Sequence, residues 1–220
     1  MLRRVAFIVA ALFLLTSLGL SQDDGHFDAS FNGAAIFTKE SDGNSIRQSA
    51  TIGANYFGTF RARFNPKHSI IFNYGRAKNS QVFQNGFDFH VLTNITEYSG
   101  AWVYNPIQKG KFEPFLLVGV AALGFSPQST WIIFPDFVGG IPNRVQVSLG
   151  AAKQTEAALL YGGGVDYHLP MKFALRLQYR GFYYGEPNFK VNPNSGSTVS
   201  FVTATKGHMA EPSIGLVYRF

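Results

Sequence analysis

The chain contains no cysteine, comparatively few charged residues and, after its first twenty residues, no long apolar run. Without cysteine it forms no disulfide framework, and it lacks the residue to which the lipid of a lipoprotein is attached. Charged residues make up 15% of the chain, whereas a typical soluble domain contains about 25%. The most apolar later segment, residues 115–125, is about half as long as a membrane-spanning helix. These absences argue against a lipoprotein, a disulfide-rich domain and a helical membrane protein.

The N-terminus has the pattern of a secretory leader. Arg3 and Arg4 precede an apolar run that ends at Leu15, and small residues follow. We predict a signal peptide at residues 1–21 and a mature chain of residues 22–220. The alternative, an N-terminal membrane anchor, requires a longer apolar run.

The remaining charge is small and dispersed. The leader contains two of the 19 basic residues and none of the 13 acidic ones, so the mature chain has 17 basic residues and a net charge of +4. These residues form no cluster able to grip a phosphate backbone, so nucleic acid is not expected as a partner. Aromatic residues make up 15% of the chain. A chain rich in aromatics, poor in charge and without helical spans is typical of a transmembrane barrel.

Most of the mature chain alternates between apolar and polar or small residues, as β-strands with two different faces do. In residues 52–62 most apolar side chains have even numbers, whereas Asn55 and Arg61 have odd numbers. Eight such segments occur, and their connections are alternately long and short. The long ones are residues 39–45, 76–86, 126–155 and 185–206, and the short ones are residues 65–67, 105–110 and 168–171. We therefore predict an all-β fold, an eight-stranded antiparallel up-and-down transmembrane β-barrel with its short turns in the periplasm.

A soluble lipocalin-like barrel is the alternative with the same number of strands. Its apolar side chains would point inward, and arginines on the polar face would then lie on the wrong side for a ligand cavity. They suit the polar interior of a membrane barrel.

Two irregularities are expected. The apolar parity changes within residues 87–104, which predicts a bulge near Asn94 or a part that stands above the membrane, and Pro212 predicts irregular pairing of the last strand. In the segment after the turn at residues 105–110, the alternating apolar series includes Phe115 and Leu117.

The polar face predicts a network of charges inside the barrel. Its expected members are Arg61, Arg63, Glu97, Asp166, Arg176, Arg180 and Glu211. Acids and bases should pair there, because an unpaired buried charge costs several kcal/mol. An eight-stranded barrel is just wide enough for its side chains to fill. We expect a filled interior, and a narrow conductance through the same network is the alternative.

Particular contacts are expected within this network. Counting back from the turn at residues 168–171 places Gly164 opposite Arg176 and Gly162 opposite Gln178. Glu211 should lie level with Arg180 on the neighbouring strand.

The chain ends on an alternating strand whose apolar face includes Tyr218 and Phe220. We interpret these two residues as a signal for the barrel-assembly machinery, and simple anchoring of the strand is the alternative. Four stretches resemble the OmpA-like family of small outer-membrane barrels, and together the similarity covers most of the mature chain. They are residues 112–120, 161–167, 174–180 and 211–220.

This resemblance implies a barrel, not an activity. The leader and the terminal strand together point to the outer membrane of a Gram-negative bacterium, where we expect a monomer surrounded by outer-membrane lipid and lipopolysaccharide. Larger members of the family carry a peptidoglycan-binding domain after the barrel, and that function is not expected here.

No catalytic, metal or cofactor site is predicted. Outer-membrane lipid deacylases use a His-Ser-Glu set near the outer rim, but His68 lies beside a periplasmic turn, and neither His90 nor His208 has a serine two residues away. No pair of histidines or carboxylates has the spacing of metal ligands.

The long loop at residues 126–155 contains an apolar segment, Trp131 to Val138. We expect it to fold over the barrel mouth or rest on the membrane, and a contact site formed by Trp131, Phe134 and Phe137 is the alternative. The expected function is a structural or surface-exposed role, such as envelope integrity or adhesion. The alternative is a narrow channel or entry path for small or apolar solutes.

Overall fold

The computed structural model describes residues 26–84, 88–107, 110–138, 141–146, 151–189 and 205–220, without the side chains of residues 134–138 and 141–146. The predicted signal peptide lies outside these ranges. Eleven strands follow one another: β1 Phe27–Thr38, β2 Ser41–Gly43, β3 Ile46–Ala50, β4 Gly53–Asn65, β5 His68–Gln84, β6 Asp88–Tyr104, β7 Phe112–Val138, β8 Ile141–Gln146, β9 Gln154–His168, β10 Phe173–Gly185 and β11 Lys206–Arg219.

Eight of these strands close into a barrel. The order is β1-β4-β5-β6-β7-β9-β10-β11, with β11 pairing back onto β1, and every neighbouring pair is antiparallel. The three short strands lie beyond the barrel: β2 pairs with β3, β3 with β5, and β8 with β7. The prediction of an eight-stranded antiparallel barrel is confirmed. No helix in the described ranges is long and apolar enough to cross a membrane.

The stagger of the strands follows from their register. From Asp28, the paired residues run once around the barrel and return to β1 at Thr38, ten residues further along. Such a stagger tilts the strands by about 35–45° to the barrel axis. An eight-stranded barrel of this kind has an interior that side chains fill.

The outer face is apolar over a broad belt. Near the chain termini, at the "termini end", Phe27, Phe112 and Tyr218 are exposed on it, and further along the axis Tyr74 and Tyr98 are exposed. Between these aromatic rows lie exposed aliphatic and aromatic side chains. They include Phe31, Phe72, Leu116, Val118, Leu177, Ile214 and Leu216. The alternation therefore puts apolar residues outside and polar ones inside, as predicted for a membrane barrel.

Two predicted loops are wrong. Residues 76–84 belong to β5, and residues 126–138 belong to β7. Both strands continue past the aromatic belt at the end opposite the termini, the "far end", where they pair with β6. Their outward side chains there include exposed Arg76 and Lys78, because this part lies beyond the apolar belt. Polar outward residues made a paired strand resemble a loop.

The bulge expected near Asn94 does not occur on β6. Odd-numbered residues of β6 face inward along its whole length, from Phe89 to Val103. The register shift lies opposite, on β7, where Gln128 is the extra residue between the pairs Leu92–Ser129 and Thr93–Pro127. The change of polarity along β6 therefore reflects a change in the interior, from polar near the termini to apolar at the far end.

The far end of the barrel has an apolar core. Phe83, Phe89, Phe125, Phe182 and Phe189 are all fully buried there. The alternative expectation, that the first part of this segment stands above the membrane, stays a prediction; in the structure this part lies beyond the apolar belt. The apolar series on β7 also points inward, because Phe115 and Leu117 are buried whereas Leu116 is exposed. The barrel thus combines a polar interior under the apolar belt with an apolar interior beyond it.

Candidate functional site

The largest charged cluster fills the termini end of the barrel. Its core is a two-pronged ion pair in which the Nε and Nη2 atoms of Arg176 lie 2.7 and 2.8 Å from the carboxylate oxygens of Asp166. Arg61 lies between two carboxylates, 3.7 Å from Asp28 and 3.5 Å from Asp166. All four side chains are fully buried or nearly so. Paired hydrogen bonds between arginine and carboxylate fix geometry as well as charge.

Three further basic side chains of this cluster lie nearer the end of the barrel. Arg63 lies 3.1 Å from Asp28 and 2.8 Å from Glu113, and Arg219 lies 2.7 Å from Glu113. His168 contacts the same carboxylate at 3.1 Å. Arg63, Arg219 and His168 are partly accessible, so the cluster grades from a buried interior to an accessible rim.

A second, smaller charged cluster lies in the interior on the side of the first that is nearer the far end, and it is called the far-side cluster; the first is called the termini-side cluster. The charged side chains of the far-side cluster, Arg180, Glu97 and Glu211, are all buried. The two terminal nitrogens of Arg180 lie 2.8 and 2.9 Å from the two oxygens of Glu97. One of them also contacts Glu211 at 2.5 Å. Asn55 donates to the other oxygen of Glu211, and Ser99 donates to Glu97 at 2.7 Å. Two carboxylates therefore share one guanidinium.

Aromatic rings lie close to the guanidinium groups of both clusters. The Arg180 guanidinium carbon lies 3.6 Å from the ring centre of Phe57. The guanidinium groups of Arg61 and Arg176 lie 5.0 and 5.3 Å from the ring centre of Phe115. An arginine over an aromatic face is stabilised where water is excluded.

Neutral polar side chains connect the two clusters. Asn73 donates to Ser99 at 2.8 Å and accepts from Thr59 at 2.8 Å. Asn32 donates to Thr59 at 3.4 Å and to Ser30 at 3.0 Å. Arg176 in turn donates to Ser30 at 3.4 Å, so one chain of hydrogen bonds runs from the far-side cluster to the termini-side cluster. Beside the far-side cluster, Asn55 and Glu97 border a cavity of about 10 Å³, which has room for about one water.

All seven residues predicted for the network lie in the interior, where they form two clusters. The predicted pairing of Arg180 with Glu211 is confirmed. The predicted register of β9 against β10 is wrong by two residues, because Arg176 lies opposite Asp166 and Gln178 opposite Gly164. The turn after His168 is longer than assumed: Met171 and Lys172 have φ values of 63° and 67°, a left-handed conformation that extends the turn.

Sequence reasoning missed two acids that balance the network, Asp28 and Glu113. With these two acids and Arg219, five arginines face five carboxylates. The arginines are Arg61, Arg63, Arg176, Arg180 and Arg219, and the acids are Asp28, Glu97, Glu113, Asp166 and Glu211. Their parity was visible, since each lies between outward residues of an alternating segment. The prediction did not extend the inward-facing parity to acids near the ends of the strands.

The predicted assembly signal lies in an aromatic cluster on the outer face. The ring of Phe220 lies 6.2 Å from that of Phe27, 6.4 Å from Phe60 and 6.1 Å from Tyr218. Its backbone N–H donates to the carbonyl of Phe27 at 3.0 Å. These contacts give the residue an anchoring role, and recognition by the assembly machinery stays a prediction.

Deleting Phe220 separates anchoring from recognition. We expect the deletion to slow insertion in cells many-fold while lowering the unfolding free energy of barrels refolded in detergent by only about 1 kcal/mol, the scale of an aromatic contact. Pulse-chase appearance of the folded form measures the first quantity and urea unfolding the second. The matched control is Phe60→Ala, which removes part of the same cluster and leaves the terminus intact. If both variants insert equally fast, recognition of the terminal residue is refuted.

The irregularity expected at Pro212 is present. On the β1 side, the paired residues are interrupted between Ala34–Ser213 and Phe37–Ala210, without a change of register. Proline supplies no N–H for a ladder hydrogen bond. On the other side Pro212 still lies opposite Tyr179.

The predicted loop contact is only partly described. Trp131 lies on β7, not on a loop tip, and its ring stacks on that of His90 with the centres 5.1 Å apart. The backbones of Phe134 and Phe137 belong to the same strand and pair with β8. Their side chains lie outside the described part of the structure.

Among the described residues, no three histidine or carboxylate side chains are grouped as a metal site would require. His168 belongs to the termini-side cluster, and His208 contacts the Tyr161 hydroxyl on the outer face.

Comparison with known proteins identifies the fold. No family model and no curated protein sequence matches the chain, so the OmpA-like assignment stays a prediction. The solved structure of the outer membrane protein OprG from Pseudomonas aeruginosa is similar, with a TM-score of 0.62 and 15% identity over 89% of this chain and 96% of that one. Neisserial surface protein A gives a TM-score of 0.53 and 16% identity over 89% of this chain and 97% of that one. The chain therefore has the fold of small eight-stranded outer-membrane barrels.

Proposed function

We propose that this protein is a small barrel of the Gram-negative outer membrane with a structural or surface-exposed role, such as envelope integrity or adhesion. The apolar belt lies in the membrane, the termini end faces the periplasm, and the far end projects outside. The outward polarity of β5 beyond the belt supports this orientation, since Arg76 and Lys78 are exposed there. Lipid and lipopolysaccharide surround the belt, the barrel-assembly machinery inserts a monomer, and no catalytic role is assigned.

One observation carries this proposal: the interior is filled in two different ways. Under the belt, five arginines and five carboxylates pair with one another. Beyond it, five phenylalanines with 0–1% exposure pack into a core. Opening a path would require both breaking buried ion pairs and separating an apolar core, and each carries a large free-energy cost. A filled barrel suits a role at the surface better than transport.

The location can be tested directly. We expect the protein to fractionate with outer membranes, and the unheated sample to migrate differently from the heated one on a denaturing gel, because a closed barrel resists detergent. Recovery as a soluble periplasmic protein would refute the proposal.

Conductance separates the structural role from the alternative channel. Purified protein in planar bilayers is expected to give no reproducible open steps, provided that the unheated gel shows the folded form in the same preparation. Steps of constant size that disappear on heating the sample would favour a narrow channel or entry path.

A further inference from the structure

Four residues after β10 turn back over the far end of the barrel. This segment, Glu186–Phe189, is called the latch here. The backbone N–H groups of Asn188 and Phe189 both donate to Oε1 of Gln154 at 3.1 Å. The Phe189 carbonyl accepts from the N–H of Ala152 at 2.8 Å. The latch is therefore held to the beginning of β9 and to the residues before it.

Contacts on its other side tie the latch to the β2–β3 hairpin. Gln48 donates to the carbonyl of Pro187 at 3.2 Å. Ser41 donates to Oε1 of Glu186 at 3.2 Å. The latch thus bridges two parts of the far end that do not pair with each other in the strand order.

Phe189 is the part of the latch that enters the apolar core. Its ring is fully buried, 6.3 Å from that of Phe83 and 6.4 Å from that of Phe125, edge-on to both. Its φ is 53°, a left-handed conformation that is unfavourable for a bulky residue. Such a backbone persists only where surrounding contacts compensate for it. The latch is therefore closed by burial of this ring against a local conformational cost.

Glu186 introduces a charge at the root of the latch. Its Oε2 atom is buried without a hydrogen-bond partner in the described structure. Burial, together with the nearby carboxylate of Glu156 on β9, raises the pKa of Glu186 to about 7. The charged or titratable groups on the segments packed here are Tyr184 of β10, Asp42 of β2, Arg47 of β3, Lys153 before β9 and Lys206 of β11. All except Tyr184 have exposed side chains, and Asp42 and Arg47 pair with each other at 3.2 Å.

We propose that Glu186–Phe189 is a pH-sensitive latch on the outer end of the barrel, closed when the Glu186 carboxyl is protonated and released when it ionises beside Glu156. Release withdraws Phe189 from between Phe83 and Phe125 and relieves its left-handed backbone. The outer end then changes from a sealed surface to one that presents apolar side chains. This device responds to external pH without involving the ion clusters under the belt.

The direction of the response follows from the two states of Glu186. In the released segment its pKa returns towards the usual glutamate value, so ionisation favours release. The latch is most stable below that usual value, and its stability is lost as pH rises through about 7. Between pH 6 and pH 8, the released fraction should rise by about tenfold.

Hydrogen–deuterium exchange of the refolded full chain tests the latch. The peptide containing residues 186–189 should lose up to about tenfold in protection between pH 6 and pH 8, after correction for the intrinsic exchange rate. Glu186→Gln should remain protected at both pH values. Glu156→Gln should show a smaller loss of protection between pH 6 and pH 8, because without the repelling charge the pKa of Glu186 in the closed latch lies nearer its usual value.

Two further variants complete the design. Asp42→Asn, a change of an exposed acid on β2, should leave the wild-type pH dependence intact. Phe189→Ala should lower protection of the latch at both pH values while the unheated gel still shows a folded barrel. Equal protection of the wild type at pH 6 and pH 8 would overturn the proposal, and so would an unchanged pH dependence in Glu186→Gln.

Discussion

Replacing Arg180 with alanine is expected to lower the free energy of unfolding by about 3–5 kcal/mol, the largest single effect predicted for this chain. Arg180 is fully buried and is shared by Glu97 and Glu211. Its removal leaves two buried carboxylates without a counter-charge. Urea unfolding of barrels refolded in lipid vesicles measures the loss. Arg76→Ala is the matched control, since that arginine lies on the outer surface, where a single charge contributes little.

The same experiment in a Glu211→Gln background tests the pairing itself. Only Glu97 is then left unpaired when Arg180 is removed, so the loss should be smaller than in the wild-type background. Neighbouring residues in one network commonly show coupling of about 0.5–3 kcal/mol. Additive losses in the double-mutant cycle would refute the interaction between Arg180 and Glu211.

Gly119→Ala is expected to destabilise the barrel by about 1–3 kcal/mol, the usual cost of forcing atoms into a packed site. Gly119 lies on β7 opposite Ala101 of β6. A Cβ atom there would overlap the carbonyl oxygen of Gly100 and lie 2.5 Å from the Cα of Ala101. These are backbone atoms, so the two strands must move apart.

Gly33→Ala provides the opposite case within the same barrel. An added Cβ at Gly33 meets nothing within 4 Å. Because glycine in a strand is less favourable than alanine by about 0.5–1 kcal/mol, this variant should be neutral or slightly more stable. Equal effects of the two substitutions in urea unfolding would contradict the close approach of β6 and β7.

The fold was predictable where the two sides of a strand face different surroundings. In β4, apolar residues outside and polar residues inside alternate from Ala54 to Arg61 except at Phe57, which is apolar and faces inward, since lipid and the polar interior impose opposite demands. The prediction failed beyond the belt, where the outside is polar and the inside apolar. There, apolar Phe89 on β6 faces inward and charged Lys78 on β5 faces outward, the reverse of the polarity under the belt. A period of two reports a strand, but not which face is inside.

The amino-acid sequence by itself determined the fold class, the number of barrel strands and the inward position of seven of the ten charged residues in the interior, because all three follow from local alternation. Only the tertiary structure decided which charges meet. The register between β9 and β10 depends on the conformation at Met171 and Lys172, and a slip of two residues exchanges the partners of Arg176 without changing any face. The latch is likewise a tertiary feature, since Phe189 reaches Phe83 only through the closure of distant strands. Contacts between residues far apart in the chain depend on the path of the whole barrel, and no local pattern records that path.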